Sequence, residues 1–124
     1  MSRLAVLCVL LVVAFLAQGQ DTYDSKYDNI DVEAVLKNDR LLNRYVECIL
    51  SENDSKCSED GKALRRYLGE GLVTDCAKCT PKQKDNALIA VKFMVNNKPD
   101  MWKQIENMYD PTGSFLQKHP ELKM

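Results

Sequence analysis

The sequence lacks the patterns from which β-sheets are built. No segment alternates strictly between apolar and polar residues, and no hairpin dipeptide joins two β-branched runs. Internal repeats, low-complexity tracts and linkers are also absent. Apolar residues recur instead every three or four positions, which is the spacing of amphipathic helices. The sequence therefore predicts one all-α domain of five or six helices.

Residues and motifs of common catalytic sites are also scarce. His119 is the only histidine, and we expect it to be a solvated surface residue near the C-terminus. There is no Gly-x-Ser-x-Gly elbow, P-loop or dinucleotide-binding fingerprint. Asp24, Asp28 and Asp31 are spaced too loosely for an EF-hand loop. The sequence predicts no enzyme activity, no cofactor and no metal site.

The charge is nearly balanced, with 17 Lys and Arg against 18 Asp and Glu, so nothing favours nucleic acid or an anionic membrane. The longest apolar run, residues 4–16, follows Arg3 and precedes the small-residue site Ala17-Gln18-Gly19. This pattern is typical of a secretory signal peptide, and the run is too short for a membrane anchor. We expect a leader at residues 1–19 and a secreted, extracellular mature domain at residues 20–124.

Four cysteines remain once the leader removes Cys8: Cys48, Cys57, Cys76 and Cys79. The pattern Cys-x8-Cys-x18-Cys-x2-Cys would also suit zinc, and a Cys-x-x-Cys pair would suit a redox site. Export disfavours zinc, and a redox unit would need a strand that this chain lacks. Structural disulfides are therefore the favoured interpretation, with three possible connectivities. Bridges between neighbouring cysteines would pin helix ends and leave the helices free to move.

Several helix starts are marked by capping residues. Ser58 and Asp39 are suitable N-caps, and Thr80-Pro81 with a glutamine three residues after the cap is a stronger start signal. Gly69 and Gly71 weaken the end of the helix that Ser58 begins. The helix through residues 87–95 is apolar nearly all round, which predicts a place at the centre of the bundle. Pro99 can open another helix, whose inward residues we expect to be Met101, Trp102, Ile105, Met108 and Tyr109.

Stripes of apolar residues with a few polar tips could line an interior pocket. On the pattern alone, such stripes fill a core more often than they line a pocket. The candidate lining residues are Leu42, Tyr45, Val46, Ile49, Leu64, Leu68, Val91, Met94, Trp102 and Ile105.

Five features together resemble the insect chemosensory proteins, also called the OS-D or A10 family. They are the cysteine pattern and the motifs KYDNIDV at 26–32, RLLNRYVECIL at 40–50, CAKCTPKQ at 76–83 and YDPTG at 109–113. The commonest family spacing between the first two cysteines is six residues, whereas this chain has eight. The difference falls in the polar loop 51–56, where insertions cost little.

The resemblance implies a six-helix globule around an apolar channel and the local disulfide pairings 48–57 and 76–79. It also implies a monomeric, non-catalytic carrier of fatty acids, long-chain alcohols, esters and similar odorants or pheromones. By the family pattern, Tyr45 matches the gating tyrosine, Trp102 the channel tryptophan and Tyr27 a tyrosine near the channel mouth.

Two functions from different classes remain open at this stage. One is a soluble carrier of small hydrophobic ligands. The other is a secreted signalling or developmental interaction protein that acts through its surface, with a receptor as a potential partner. The loop also matches an N-glycosylation acceptor at Asn53, but tight loops are poor acceptors.

Overall fold

The structure, a computed structural model, describes residues 23–123. The predicted signal peptide lies outside the described residues. Within them the chain forms six α-helices, a 3-10 turn before the first and another after the last, and no strand. The prediction of an all-α domain is therefore confirmed. The helices are α1 (Val32–Lys37), α2 (Asp39–Leu50), α3 (Glu59–Thr74), α4 (Pro81–Asn97), α5 (Pro99–Tyr109) and α6 (Ser114–Lys118).

Side-chain caps fix where the principal helices begin. Ser58 accepts a hydrogen bond from the Gly61 N–H at the start of α3. Thr80 and Gln83 form a reciprocal capping box at the start of α4, as predicted. Asn38, not Asp39, caps α2: its Oδ1 accepts from the Leu41 N–H at 3.2 Å, and Asp39 is already the first helical residue. Both side chains suit an N-cap, and the prediction that Asp39 caps this helix is wrong by one residue.

Two disulfides join Cys48 to Cys57 and Cys76 to Cys79, the pairing that the family resemblance implies. The first bridges the end of α2 to the residue before the α3 cap. The second closes the turn between α3 and α4. That turn reverses through Asp75 and Cys76, two non-glycine residues with left-handed φ values of 55° and 61°. The bridges thus fix both ends of α3 against its neighbours.

The helices surround a buried apolar core, in which α2 packs against α1, α3 and α5. None of the helices at residues 23–123 has the length and apolar character needed to cross a bilayer. The core side chains are Leu36, Leu42, Val46, Cys48, Ile49, Leu72, Val91, Met94, Trp102, Ile105, Phe115, Leu116 and Leu122.

Two expectations about burial are wrong. In the segment 87–95 only Val91 and Met94 are buried, and Ile89 is exposed, so α4 is not wrapped on all sides. Met108 is 44% exposed instead of facing inward, whereas Trp102 and Ile105 of the same helix are buried. The two glycines near its end do not stop α3, which continues to Thr74, since packing against α2, α5 and α6 outweighs their poor helix propensity.

Candidate functional site

An interior cavity of about 280 Å³ lies between the helices, and all six helices contribute to its lining. The segment before α1 also contributes, through Tyr27 and Ile30, and so does the disulfide between Cys76 and Cys79. Nearly all of the lining is apolar. Small-molecule sites in proteins have this character: a concave apolar surface with a few polar groups that orient the ligand.

All eleven candidate ligand-binding residues line this cavity. The stripe that the periodicity of α2 predicted turns toward it, and Trp102 and Ile105 of α5 form part of the opposite wall. Trp102 is 6% exposed, and its buried Nε1 has no hydrogen-bond partner within residues 23–123. The eleven residues are Tyr27, Leu42, Tyr45, Val46, Ile49, Leu64, Leu68, Val91, Met94, Trp102 and Ile105.

Small residues on α4 make room for the cavity. Ala87, Ala90, Val91 and Met94 line it at the spacing i, i+3, i+4 and i+7, which places them on one face of the helix. Two alanines on the inner face leave space that larger side chains would fill. Reading the sequence for large apolar residues missed both alanines, although their position on the Val91 stripe could have identified them.

Among the described residues, Asp60 is the one charged residue that lines the cavity, and it was not predicted from the sequence. It lies in the first turn of α3, where an acidic side chain is ordinarily a solvated helix-start charge. Here it is half-buried, and its Oδ2 accepts a hydrogen bond from the Tyr45 hydroxyl on α2. Its Oδ1 accepts from the Ser58 hydroxyl and, at 3.0 Å, from the Gly61 N–H.

The backbone approaches closely around this carboxylate. A Cβ on Gly61 would lie 2.9 Å from Cys48 Sγ, closer than real Cβ contacts come. Glycine is therefore required at 61 for the disulfide of α2 to lie against the first turn of α3. This close approach brings Tyr45 and Asp60 together.

The Tyr45–Asp60 pair keeps its proton on tyrosine. Burial, followed by the hydrogen bond and the negative charge of Asp60, raises the pKa of Tyr45 to about 12, with Arg44 partly offsetting the rise. Burial alone would raise the pKa of Asp60, but hydrogen bonds from Ser58, Tyr45 and Gly61 outweigh it and lower that pKa. At neutral pH the pair is thus a carboxylate that accepts from a neutral phenol.

A second tyrosine, Tyr23, is also hydrogen-bonded to a carboxylate, and it lies against the part of the cavity wall that Tyr67 forms. The Tyr23 ring stacks on the Tyr67 ring with centroids 4.2 Å apart, and its hydroxyl donates to Glu70 Oε2 at 2.8 Å. Burial and then the Glu70 hydrogen bond raise the pKa of Tyr23 to about 12. Tyr67 lines the cavity, so the start of the described chain lies against the outside of its wall. This contact was not predicted from the sequence, because Tyr23 lies in a polar segment.

The segment before α1 is held onto the start of α4 by polar contacts. The Thr80 hydroxyl donates to Asp28 Oδ2 at 3.0 Å, and Gln83 Nε2 donates to the Asp24 carbonyl at 2.8 Å. These bonds hold Tyr27 against the cavity, where the family resemblance implied it would lie. The two helix-capping residues of α4 therefore also position part of the cavity wall.

The C-terminal segment closes the cavity near the second disulfide. Phe115 of α6 is 2% exposed and lines the cavity. The expectation of a solvated His119 is wrong: its side chain is 15% exposed, with Nε2 2.6 Å from Asp75 Oδ1 and the ring centroid 4.7 Å from that of Phe115. The hydrogen bond from His119 is the leading cause that lowers the pKa of Asp75. His119 thus ties α6 to the end of α3.

Comparison with known proteins identifies this architecture. The model of the insect pheromone-binding family A10/OS-D matches residues 23–117. The allergen Tha p 1 of Thaumetopoea pityocampa is 38% identical over 96% of this chain and 93% of its own length. Ejaculatory bulb-specific protein 3 of Drosophila melanogaster is 35% identical over 92% of this chain and 89% of its own length.

A solved structure is similar as well. A chemosensory protein in complex with bromo-dodecanol superimposes with a TM-score of 0.73 and 34% sequence identity, covering 82% of this chain and 97% of that one. Sequence and fold agree over most of both chains. This chain belongs to the insect pheromone-binding family A10/OS-D.

Proposed function

We propose that this protein is a secreted carrier that binds small hydrophobic ligands in its interior cavity. The ligand classes are fatty acids, long-chain alcohols, esters, odorants and pheromones. The observation that carries the proposal is the apolar cavity between the six helices, which contains a single charged side chain among its described lining residues. The similar chemosensory protein solved with bromo-dodecanol supports the same class of ligand.

The predicted leader and the disulfides suit an exported protein, which we propose acts as a monomer. The leader predicted at residues 1–19 would direct the chain out of the cell, and both disulfides need an oxidising compartment. The proposal involves no catalysis, no cofactor and no nucleic acid. A receptor would recognise the outer surface and is not needed for binding.

Tyr45 is proposed as the gate of the cavity. Its hydroxyl is held by Asp60, while its ring forms part of the lining. A ligand would pass when the ring turns about its side-chain bonds, and the hydroxyl would return to Asp60 once the ligand is inside. The other ten lining residues are proposed to contact the apolar part of the ligand, with affinity set by the methylenes that they bury.

The test is displacement of an apolar fluorescent probe from the refolded mature protein. A carrier takes up the probe saturably, and alcohols or acids of increasing chain length displace it with rising affinity until the cavity is full. The gain expected is at most about 0.8 kcal/mol for each added methylene. Trp102 gives an independent signal, since it is the only tryptophan and lines the cavity.

Two outcomes would contradict the carrier proposal. One is a protein that takes up no probe, which would favour an interaction protein that acts through its surface. The other is displacement that does not depend on chain length, with Trp102 emission unchanged, which indicates adsorption outside the cavity.

A further inference from the structure

Among the described residues, the cavity lining carries a charge at one place, Asp60 beside Tyr45, and its other polar groups, the Trp102 Nε1–H among them, are neutral. Asp60 is the only charged residue among the described residues that line the cavity. No lysine, arginine or histidine forms an ion pair with it within residues 23–123. The carboxylate therefore has hydrogen-bond partners but no ion-pair partner among these residues, and its negative charge acts on a ligand that enters the cavity.

The hydrogen bonds at this place leave acceptors and no donor. An ionised carboxylate accepts about four hydrogen bonds, and Asp60 receives three, from Ser58, Gly61 and Tyr45. The Tyr45 hydroxyl has one proton, which it gives to Asp60, so its oxygen can only accept from a ligand. The Ser58 hydroxyl is likewise spent on Asp60. A ligand head group that reaches Asp60 must consequently bring its own donor.

The three ligand classes differ in this respect. A long-chain alcohol has a hydroxyl proton to donate. An ester has no donor and no charge. An ionised fatty acid has no donor and would bring a second negative charge beside the half-buried Asp60, where like charges repel.

We infer that Asp60 makes this cavity select long-chain alcohols, as neutral hydrogen-bond donors, over ionised fatty acids. This inference rests on the proposed carrier function and refines it. Tyr45 assists by filling one acceptor site of Asp60 and keeping the carboxylate fixed at the cavity wall. The apolar lining contacts the hydrocarbon chain of each ligand in the same way, so the head group decides the order of affinity among ligands of equal length.

The test compares tetradecan-1-ol, methyl tetradecanoate and sodium tetradecanoate at pH 7.5, each below the concentration at which it aggregates. Wild-type protein should bind the alcohol about tenfold or more tightly than the acid, with the ester between them, because one lost charge-assisted bond or one like-charge contact costs about this factor. This order is measured on the native protein and needs no variant.

Asp60→Asn then assigns the order to the carboxylate. Asparagine has nearly the same shape, keeps one oxygen that accepts from the Gly61 N–H, and turns an uncharged NH2 donor toward the Tyr45 oxygen in place of the second carboxylate oxygen. We expect the affinity for the acid to rise about tenfold while that for the alcohol changes by a few-fold at most. Glu59→Gln is the matched control, because Glu59 is the exposed neighbour in the same helical turn and does not line the cavity.

Several results would overturn the inference. Equal wild-type affinities for alcohol and acid would do so, as would an unchanged ratio in Asp60→Asn. A shift in Glu59→Gln as large as in Asp60→Asn would show that net charge, not the cavity carboxylate, sets the order. Failure of all three ligands to displace the probe would instead refute the carrier proposal itself.

Discussion

Replacing Ala90 with leucine tests whether the space inside the helices is a true cavity. Ala90 lies on the cavity face of α4, and leucine places three further carbon atoms there. In a packed core this overfilling would cost about 1–3 kcal/mol. In a cavity it buries apolar groups worth at most about 2.4 kcal/mol, and ordering the side chain costs about 0.5–1 kcal/mol. We therefore expect Ala90→Leu to increase the free energy of unfolding by roughly 1.5 kcal/mol.

The same leucine should compete with long ligands. A ligand that fills the cavity loses room for about three methylenes, so its affinity falls by at most about 2.4 kcal/mol, or roughly 60-fold. An alcohol shorter by three or four carbons should bind as before. Urea unfolding gives the stability, and calorimetric titration of two alcohols of different length gives the affinities.

Ala34→Leu is the matched control, because Ala34 is an exposed residue of a helix and does not line the cavity. It should leave both alcohol affinities unchanged. If Ala90→Leu instead lowers the free energy of unfolding by about 1–3 kcal/mol, the space is a filled core and not a cavity, because this is the cost of overpacking a core. A stable Ala90→Leu protein with unchanged affinity for the long alcohol would show that ligands bind elsewhere.

Three further predictions concern the residues that hold the site together. Gly61→Ala should destabilise the fold by about 1–3 kcal/mol in urea unfolding, because the added Cβ would meet the Cys48 sulfur. Gly69→Ala, which has open space around it, should instead stabilise α3 by about 0.5–1 kcal/mol, and equal effects of the two substitutions would refute the close approach. Asp110 is fully buried and accepts from the Phe115 N–H at 3.0 Å, so Asp110→Ala should cost at least about 2 kcal/mol and weaken ligand binding, and a neutral result would refute its role in seating α6. Because the pKa of Tyr45 is raised to about 12, its contribution to the free energy of unfolding should be complete below pH 10 and lost as the pH rises from 10 to 12. The phenolate absorbance of wild type minus that of Tyr45→Phe should rise only near pH 12, and a rise near pH 10 would contradict the Asp60 bond.

Much of the fold follows from local signals that the sequence displays. The capping box at Thr80 and the cap at Ser58 depend on neighbouring residues only, so they are readable before any tertiary structure is known. The stripe on α2 is similarly local, because its spacing fixes which side chains share a face. The disulfide pairing needed more, since the residues alone left three connectivities and the family resemblance selected one.

The site was harder to predict from the sequence, because the cavity depends on where segments distant in the sequence leave space between them. Apolar stripes look the same whether they meet or enclose a space, and the difference here comes from alanines on α4 such as Ala90. Asp60 resembles an ordinary helix-start charge until α2 brings Tyr45 against it. His119 resembles a surface residue until the end of α3 presents Asp75. Both contacts join residues on different helices or segments, so they form only when the helices pack together.

The location of a bound ligand tests the central claim most directly. A crystal of the mature protein grown with 12-bromododecan-1-ol would show the bromine by its anomalous scattering. We expect bromine inside the cavity, among Val91, Met94 and Ile105, with the hydroxyl directed to Asp60. Bromine bound only on the outer surface, with the cavity closed around its own side chains, would contradict the claim that this protein carries ligands in its interior.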